Sequence, residues 1–305
     1  MQAPIGPAST PELVTAVSAA GGLGCLAASW TPLDRLEGEV AKIQRELDRP
    51  FCVNLVLAFD QRERLEFLCE ARVPVISFSW GVSRSAIARA HQAGASVLVQ
   101  VGDAERGVQA AASGADAIIV QGTEAGGHVE GKLPLLDLVR DLRRQTSLPL
   151  LAAGGIAGPA SVENARRAGA SGVAVGTCYL GAQEADVHPA YREALCLAGA
   201  TDTVLTGVFD IGWPDAPHRV LRNETVTAWE RAGSPAPGCR PGESESVACF
   251  GSHPVLRYSD AQPTRSATGD IMAMALYAGT GVGQVTRAEG AGEITERLLA
   301  AYSTA

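Results

Sequence analysis

The apolar residues of this chain recur in short aliphatic runs, and each run follows a helical stretch and a small turn that contains glycine or proline. The segments RAHQAGASVLVQV, QAAASGADAIIVQ and NARRAGASGVAVGT show the pattern. A glycine near the end of each helix supplies the left-handed cap, and the run after it is apolar without clean alternation, as in a parallel strand that is covered on both faces. The pattern predicts a repeated βα unit.

Eight such runs occur before the pattern changes, and we expect a helix after each of the first seven. This is the strand count of a closed (β/α)₈ TIM barrel, so the sequence predicts the α/β class with that architecture. A doubly wound open sheet is the structural alternative, but it would need a reversal of strand order and usually has fewer evenly spaced units. The predicted strands are residues 3–6, 23–27, 51–55, 75–78, 96–101, 117–121, 150–153 and 172–176.

The chain continues well beyond the last predicted strand. We expect residues 1–185 to form the barrel, residues 186–266 to form a small, mostly helical cap over its mouth, and residues 267–305 to form helices that pack back on the barrel. Residues 233–246, GSPAPGCRPGESES, are rich in Gly, Pro and Ser and predict a flexible loop. A barrel typically has about 250 residues, so the surplus length suffices for a cap.

Composition narrows the function classes. The chain has 305 residues, 46% of them hydrophobic, with 25 basic and 33 acidic residues and a formal net charge of −8. These values disfavour a disordered chain and a general nucleic-acid surface. No apolar run is long enough to span a bilayer, and the seven cysteines include no CxxC pair, which disfavours a zinc site and a disulfide framework. We therefore expect a cytoplasmic enzyme that acts on a small molecule, with no metal and no nucleic-acid or membrane partner.

Glycines follow the last two predicted strands, where a barrel of this kind usually binds phosphate. Gly154 and Gly155 follow the seventh strand, and Gly176 and Thr177 follow the eighth. Glycine lets backbone N–H groups approach an anion closely, and the Thr177 hydroxyl adds a donor. The alternative interpretation is that the glycine pair serves only a tight βα turn.

A glycine-rich loop with a histidine follows the sixth predicted strand, in the segment QGTEAGGH. Gln121 can both donate and accept a hydrogen bond there, Gly126 lets the backbone lie against a flat ligand, and His128 brings a titratable imidazole to the catalytic face. Asn54 is a polar residue at the end of the otherwise apolar third strand, so it is a second candidate ligand contact. In the alternative interpretation His128 is an ordinary surface or capping residue and Asn54 closes a turn. The remaining histidines are interpreted as structural by default, although His218 could belong to the cap or the substrate region.

These motifs, together with QAP near the start, PFCVNL, AAGGI and GVAVGT, resemble the nitronate monooxygenase family, formerly called 2-nitropropane dioxygenases. The resemblance implies FMN at the barrel mouth and His128 as the catalytic base, or as the group that orients the substrate. It implies oxidation of a nitronate with O₂ to a carbonyl compound and nitrite. The implied FMN-binding residues are Asn54, Gln121, Gly126, Gly154, Gly155, Gly176 and Thr177.

Several positions depart from the family pattern. Ile5 stands where relatives have Met, Thr280 stands where Gln is common, and residues 210–223 replace a shorter turn. Trp80 stands where a substrate wall is expected. The alternative function is therefore an NAD(P)H-dependent flavin reductase of the same barrel type, reducing an enoyl thioester or a quinone. A barrel that serves only as a binding scaffold is a third alternative. As for assembly, we expect a homodimer.

Overall fold

Seven parallel strands form one curled sheet whose spatial order follows the order of the chain. The computed structural model describes residues 1–303. Its strands are β1 (Cys25–Ala27), β2 (Cys52–Val56), β3 (Val75–Ser79), β4 (Ser96–Val101), β5 (Ala117–Gln121), β6 (Gly127–His128), β7 (Leu150–Ala153), β8 (Gly172–Ala174), β9 (Thr203–Thr206), β10 (His218–Leu221), β11 (Ser246–Phe250), β12 (His253–Leu256) and β13 (Ala267–Gly269). Its helices are α1 (Pro11–Ala19), α2 (Leu33–Glu46), α3 (Arg62–Glu70), α4 (Arg84–Gln92), α5 (Ala104–Ser113), α6 (Leu135–Arg143), α7 (Pro159–Arg167), α8 (Thr177–Leu180), α9 (Pro189–Leu197), α10 (Glu224–Arg231) and α11 (Ala291–Ser303). The sheet runs β1-β2-β3-β4-β5-β7-β8, which confirms the α/β barrel.

Residues 1–3 close the barrel between β1 and β8. The Ala3 N–H donates to Val175 O at 2.8 Å, and the Gln2 N–H donates to Leu23 O at 2.9 Å. The Gln2 side chain extends this pairing, because its Oε1 accepts from Cys25 N at 2.7 Å and its Nε2 donates to Cys25 O at 3.0 Å. The sheet is therefore continuous around the mouth.

The first strand prediction, residues 3–6, is displaced. Strand pairing occurs at residues 1–3, and Gly6–Ala8 form a 3₁₀ turn. Pro4 has no N–H to give to a ladder and Pro7 fixes φ at a turn value, so the extended backbone cannot continue. The other seven strand predictions coincide with β1–β5, β7 and β8 within one or two residues at each end.

Barrel strands alternate their side chains between two apolar environments. Leu98 and Ile119 belong to a small buried cluster together with Ala153 and Ala174. Val97, Val99, Ile118 and Val120 pack instead in the main core with the surrounding helices. Both faces of each strand are thus covered, which is why these strands have no polar alternation in the sequence.

The predicted cap, residues 186–266, is not mostly helical, because it contains as much strand as helix. It holds α9 and α10, which match the expected helical character, but also two small antiparallel sheets of order β6-β10-β9 and β12-β11-β13. The first sheet forms because the loop after β5 supplies β6, so that His128 pairs with His218. The boundaries of the three predicted regions stay a prediction.

The predicted C-terminal helix over DIMAMALYAGTGVGQV is not formed. This segment instead contains the short 3₁₀ turns Ile271–Ala273 and Thr280–Gln284 joined by extended backbone. Its glycines lower the helix propensity of the segment. Close packing against the loops after β5 and β7 holds the segment in place instead of helix hydrogen bonds. The final helix α11 contacts α1 and α7 on the outside of the barrel.

Candidate functional site

The predicted site residues all lie at the carboxyl-terminal ends of the barrel strands, which form the mouth. Gly126, Gly155 and Thr177 meet around the segment 278–280, and Gly154 lies against Ala125 in the loop after β5. Gly176 lies beside Ala3 and Ile5, at the point where the barrel closes. Asn54 lies across the mouth on β2, and Gln121 joins β5 to the loop that carries His128.

The loops after β7 and β8 carry backbone donors without acceptors. Gly154 and Gly155 have φ of +122° and +66°, values that favour glycine. In the described part of the chain, the N–H groups of Gly154, Gly155 and Gly176 donate to no protein acceptor. Neighbouring unpaired N–H groups in such turns form an anion-binding site.

The segment 278–280 forms the far side of this glycine cradle. The Gly279 N–H donates to Thr177 Oγ1 at 2.9 Å, so the Thr177 hydroxyl keeps its own proton for another acceptor. A Cβ on Gly126 would collide with Gly279 N, and a Cβ on Gly155 would lie 2.8 Å from Thr280 Oγ1. The departure at Thr280 therefore places a second hydroxyl beside the cradle.

The Gln121 side chain clamps the histidine loop. Its Nε2 donates to His128 O at 3.1 Å, and its Oε1 accepts from Glu130 N at 2.8 Å. The nitrogen and the oxygen of one side-chain amide thus hold the backbone at His128 and at Glu130. Gln121 positions His128 in this structure.

Four aromatic rings surround the His128 imidazole. Trp213 stacks on it with 4.4 Å between ring centroids and 29° between planes. His218 and Tyr277 each lie 5.5 Å away, and Trp80 lies 6.4 Å away. The His128 Nε2 atom is buried without a hydrogen-bond partner, so it is available to a ligand.

Burial keeps His128 neutral. Desolvation, and secondarily the neighbouring His218, lowers the pKa of His128 from 6.5 to about 3. The pKa of His218 is also lowered, mainly by desolvation. His218 Nε2 accepts from Phe209 N at 3.2 Å, which leaves Nδ1 to carry the proton and donate to Ala216 O at 3.0 Å. His218 is therefore a structural histidine that holds the cap backbone.

Asn54 is buried and fully engaged with β3. Its Nδ2 donates to Ser77 Oγ at 3.0 Å and to Ser77 O at 3.2 Å. Its Oδ1 accepts from Ser79 Oγ at 3.4 Å. These contacts fix the amide at the mouth, facing the barrel interior.

Glu130 is a buried carboxyl that sequence inspection did not single out. Its side chain is 1% exposed, and neither carboxyl oxygen has a hydrogen bond. Arg106 Nη1 lies 3.6 Å from Oε1, an ion-pair contact without hydrogen-bond geometry. Desolvation raises the pKa of Glu130 to about 7, although Arg106 opposes the shift.

The cap loop of residues 210–217 brings Trp213 to His128 and is held at both ends. Arg240 Nη1 donates to Asp210 Oδ1 at 2.6 Å, and the guanidinium lies 4.3 Å from the Tyr258 ring centroid. The segment 233–246, predicted as a flexible loop, supplies this buried Arg240 and is tied down by it. At the other end, Val129 N donates to Pro217 O at 2.7 Å.

Sequence reasoning placed His128 and Trp80 at the mouth but missed Trp213, Tyr277 and Glu130. Trp213 lies in residues 210–223, which depart from the family pattern, so the sequence marked this segment as unusual. That Trp213 stacks on His128 could not be predicted from the sequence. No signal pointed to Tyr277 or Glu130.

The sequence profile of the family described as nitronate monooxygenase matches residues 1–64 and 57–301. The chain belongs to the nitronate monooxygenase family. This confirms the resemblance based on the motifs.

Curated and structural relatives of this family member carry different reactions. This chain is 39% identical over 230 residues to (3aS,4S,5R,7aS)-5-hydroxy-7a-methyl-1-oxo-octahydro-1H-indene-4-carboxyl-CoA dehydrogenase of Mycobacterium tuberculosis. The match covers 74% of this chain and 63% of that relative, so the chain spans less than two thirds of the relative's length. FabK from Thermotoga maritima superposes with a TM-score of 0.80 at 26% identity, over 99% of this chain and 92% of that one. A nitroalkane oxidase from Streptomyces ansochromogenes superposes with a TM-score of 0.78 at 29% identity, over 100% of this chain and 95% of that one.

The family is flavin-dependent, and the mouth fits a flavin phosphate. The cradle offers unpaired N–H groups and the Thr177 hydroxyl, which are donors. The nearby Glu124 carboxylate is turned away, because it accepts from Leu135 N at 3.0 Å. An anion therefore meets donors and no competing carboxylate.

Neither a metal cluster nor a membrane-spanning helix is found in the described part of the chain. Within residues 1–303, no cluster of three His, Cys, Asp or Glu side chains could hold a metal ion. No helix in the same range combines the length and hydropathy of a membrane span.

Proposed function

We propose that this protein is an FMN-dependent oxidoreductase that oxidises a nitronate with O₂ to a carbonyl compound and nitrite. The observation that supports it is the pairing of a neutral, buried His128, whose Nε2 has no hydrogen-bond partner in the protein, with a donor-lined glycine cradle on the same barrel mouth. Membership of the nitronate monooxygenase family supports the same reaction.

The chain holds the cofactor through the loops after β5, β7 and β8. The N–H groups of Gly154, Gly155 and Gly176, with the Thr177 hydroxyl, bind the FMN phosphate. Gly126 lets the loop after β5 lie close to the flavin. Asn54, on β2 across the mouth, contacts the flavin from the opposite side. When bound, the flavin accepts electrons from the substrate and allows O₂ to react.

His128 orients the substrate beside that site. Its imidazole is neutral at physiological pH because its pKa is about 3. In the neutral ring Nε2 carries the proton and donates a hydrogen bond to a nitronate oxygen. The nearby anion in turn raises the pKa of the imidazole. His128 also takes the proton from a neutral nitroalkane, and its low pKa makes that step slower than reaction of the preformed nitronate, so the nitronate is the better substrate.

Oxygen consumption tests this proposal. The FMN-loaded protein should consume O₂ with propionate 3-nitronate or propyl-2-nitronate in the absence of NAD(P)H, and nitrite should accumulate. If neither nitronate is oxidised while FMN is bound, the proposal fails.

A second candidate is a reductase or dehydrogenase of a thioester substrate with NAD(P)H. It is favoured by one observation, the 39% identity to a relative named as a carboxyl-CoA dehydrogenase. Arg219 and Arg222, a basic pair that could receive such a substrate, are both engaged, since Arg219 Nη2 donates to Thr123 O at 2.9 Å and Arg222 pairs with Glu230. Rapid anaerobic bleaching of the flavin by NADH or NADPH would favour this candidate over nitronate oxidation.

The cellular setting is also a proposal. The seven cysteines are free thiols, four of them buried, as in a protein of a reducing cytoplasm. A homodimer is the assembly that we propose, and sedimentation of the purified protein tests it.

A further inference from the structure

Four aromatic side chains at the mouth contact one another, and together we call them the aromatic wall: Trp30, Phe59, Trp80 and Trp213. Trp30 also contacts Trp213 directly, with 5.7 Å between ring centroids. The ring centroids are 5.5 Å apart for Trp30 and Phe59, and 5.1 Å apart for Phe59 and Trp213. Trp213 and Trp80 follow at 4.7 Å. Three of the four tryptophans of the chain are in this wall.

Exposure falls from Trp30 and Phe59 to Trp213, the ring that stacks on His128, and Trp80 is half-buried. Trp30 is 56% exposed, Phe59 is 37% exposed and Trp213 is 9% exposed. Trp213 then stacks directly on the His128 imidazole. The wall is therefore a continuous apolar surface that starts in solvent and ends at the proposed reaction site.

The aromatic wall stands on the side of the barrel opposite the glycine cradle. Trp30, Phe59 and Trp80 lie in the loops after β1, β2 and β3, whereas the cradle follows β7 and β8. With residues 1–3 closing the ring between β8 and β1, β2 and β3 are the strands farthest around the sheet from β7 and β8. A ligand held between the two sides would cross the mouth.

Hydrogen bonds hold the outer part of the aromatic wall in place. Ser29 Oγ accepts from Val56 N at 2.8 Å, which links the loop after β1 to the end of β2. Arg64 Nη2 donates to Thr31 O at 2.9 Å on the other side of Trp30. The exposed rings thus stand on braced backbone, and a preorganised apolar surface loses little entropy when it binds.

We propose that the aromatic wall binds the apolar, ring-bearing body of the substrate and directs its oxidisable group to His128. The inference rests on the proposed function and assigns its substrate class. The wall carries no charged side chain, so its complement is an apolar group, and aromatic faces pack best against rings. A short acyclic substrate would reach only Trp213 and Trp80, which leaves the exposed Trp30 and Phe59 without a role.

The kinetic test compares two nitronates that differ in one ring. The substrates are the nitronates of nitroethane and of 2-phenyl-1-nitroethane, and the variants are Trp30→Ala and Phe59→Ala. Each variant should raise the KM for the phenyl substrate relative to that for ethyl nitronate by about 5–10-fold, the size of one aromatic contact. The control Leu197→Ala removes an equally apolar side chain that is 80% exposed on α9, and should leave the KM ratio unchanged.

A binding test separates the aromatic wall from the proposed reaction. The FMN-loaded protein is titrated with 3-phenylpropionate and with propionate, which cannot be oxidised as nitronates, and the perturbation of the flavin spectrum is recorded. Wild type should bind 3-phenylpropionate more tightly than propionate, and Trp30→Ala should lose that preference. This result would stand even if no nitronate were oxidised, in which case only the proposed function fails.

Three results would overturn the role of the aromatic wall. The first is turnover of both nitronates with the same KM ratio in wild type and Trp30→Ala. The second is equal binding of 3-phenylpropionate and propionate by the wild type. The third is a dimer in sedimentation that Trp30→Ala converts to monomer, because the exposed rings would then cover a second copy of the chain.

Discussion

His128 and Glu130 lie two residues apart in one extended segment, and burial moves their pKa values in opposite directions toward the neutral forms. The pKa of the imidazole falls to about 3 and that of the carboxyl rises to about 7. Desolvation disfavours whichever form is charged, so a base and an acid respond with opposite shifts. Burial thereby disfavours a charge on both side chains.

His128→Ala tests whether the imidazole transfers a proton or orients the substrate. With nitroethane, which must lose a proton, turnover should fall by about 10²–10⁴-fold. With preformed ethyl nitronate the loss should be smaller, because no proton abstraction is needed. Stopped-flow measurement of flavin reduction distinguishes the two, and equal losses with both substrates would contradict a role as base. The flavin content of the variant serves as the control for cofactor retention.

Glu130→Gln should change how stability depends on pH. The Glu130 pKa is 4.5 when unfolded and about 7 when folded, so the protonated form stabilises the fold below pH 4.5 and this contribution is lost as pH rises to 7. Glutamine mimics the protonated carboxyl, so at pH 8 the variant should exceed wild type by on the order of 2–3 kcal/mol in the free energy of unfolding. At pH 5 the gap should be small. Urea denaturation at both pH values measures it, and parallel curves for the two proteins would show that Glu130 ionises normally.

At the scale of elements, the mouth is assembled from loops that leave no room for side chains. The loop after β5 packs on the segment 278–280 at Gly126, and the loop after β7 packs on the same segment at Gly155. Positive φ at Gly155 adds a backbone requirement to the steric one. The cradle thus depends on glycine for two independent reasons.

Gly155→Ala should weaken FMN binding. The added Cβ would lie 2.8 Å from Thr280 Oγ1 and 3.1 Å from Glu124 Cβ, so the loops must shift and the donors move from the phosphate. Losing one hydrogen bond to a charged group corresponds to about 10–100-fold in the dissociation constant. Gly94→Ala is a matched control, because Gly94 also has positive φ, at +87°, but no atom within 4 Å of the added Cβ. Fluorescence titration with FMN should show a change in the first variant and none in the second.

At the scale of the whole molecule, distant parts of the chain meet at one site. Residues 1–3 close the barrel against Val175, and the segment 278–280 reaches Thr177 from the far end of the described chain. The cap contributes Trp213 through a loop held by Arg240. A ligand at the mouth therefore couples the barrel, the cap and the C-terminal segment.

Added FMN should raise the thermal stability of the whole protein. At 100 times the dissociation constant a ligand that binds only the folded state contributes about 2.7 kcal/mol, which is about 4 °C in Tm for a chain of this size. Riboflavin has the same ring system without the phosphate, so it should give a clearly smaller shift. Differential scanning calorimetry measures both, and equal shifts would show that the cradle does not hold the phosphate.

Much of the fold was predictable because the strands of a barrel have a strong local signal. Each aliphatic run that follows a helix and a glycine or proline turn corresponds to a barrel strand. Only the first predicted strand, residues 3–6, lies elsewhere, because Pro4 and Pro7 end the extended backbone. The helix expected at residues 270–285 does not form, because three glycines in this segment pack against other loops. The antiparallel sheets of the cap were missed because β6 and β10 are short and pair across a long sequence separation.

The sequence by itself determined the barrel, the family and the positions where glycines and a histidine follow the strands, because these depend on local pattern and on short motifs. Tertiary structure alone decided the chemistry of those residues. It stacked Trp213 on His128, enclosed Glu130 without a hydrogen bond, and packed Trp30 and Phe59 against Trp213. The physical reason is that desolvation and ring contacts arise between residues far apart in the chain, so no local pattern records them.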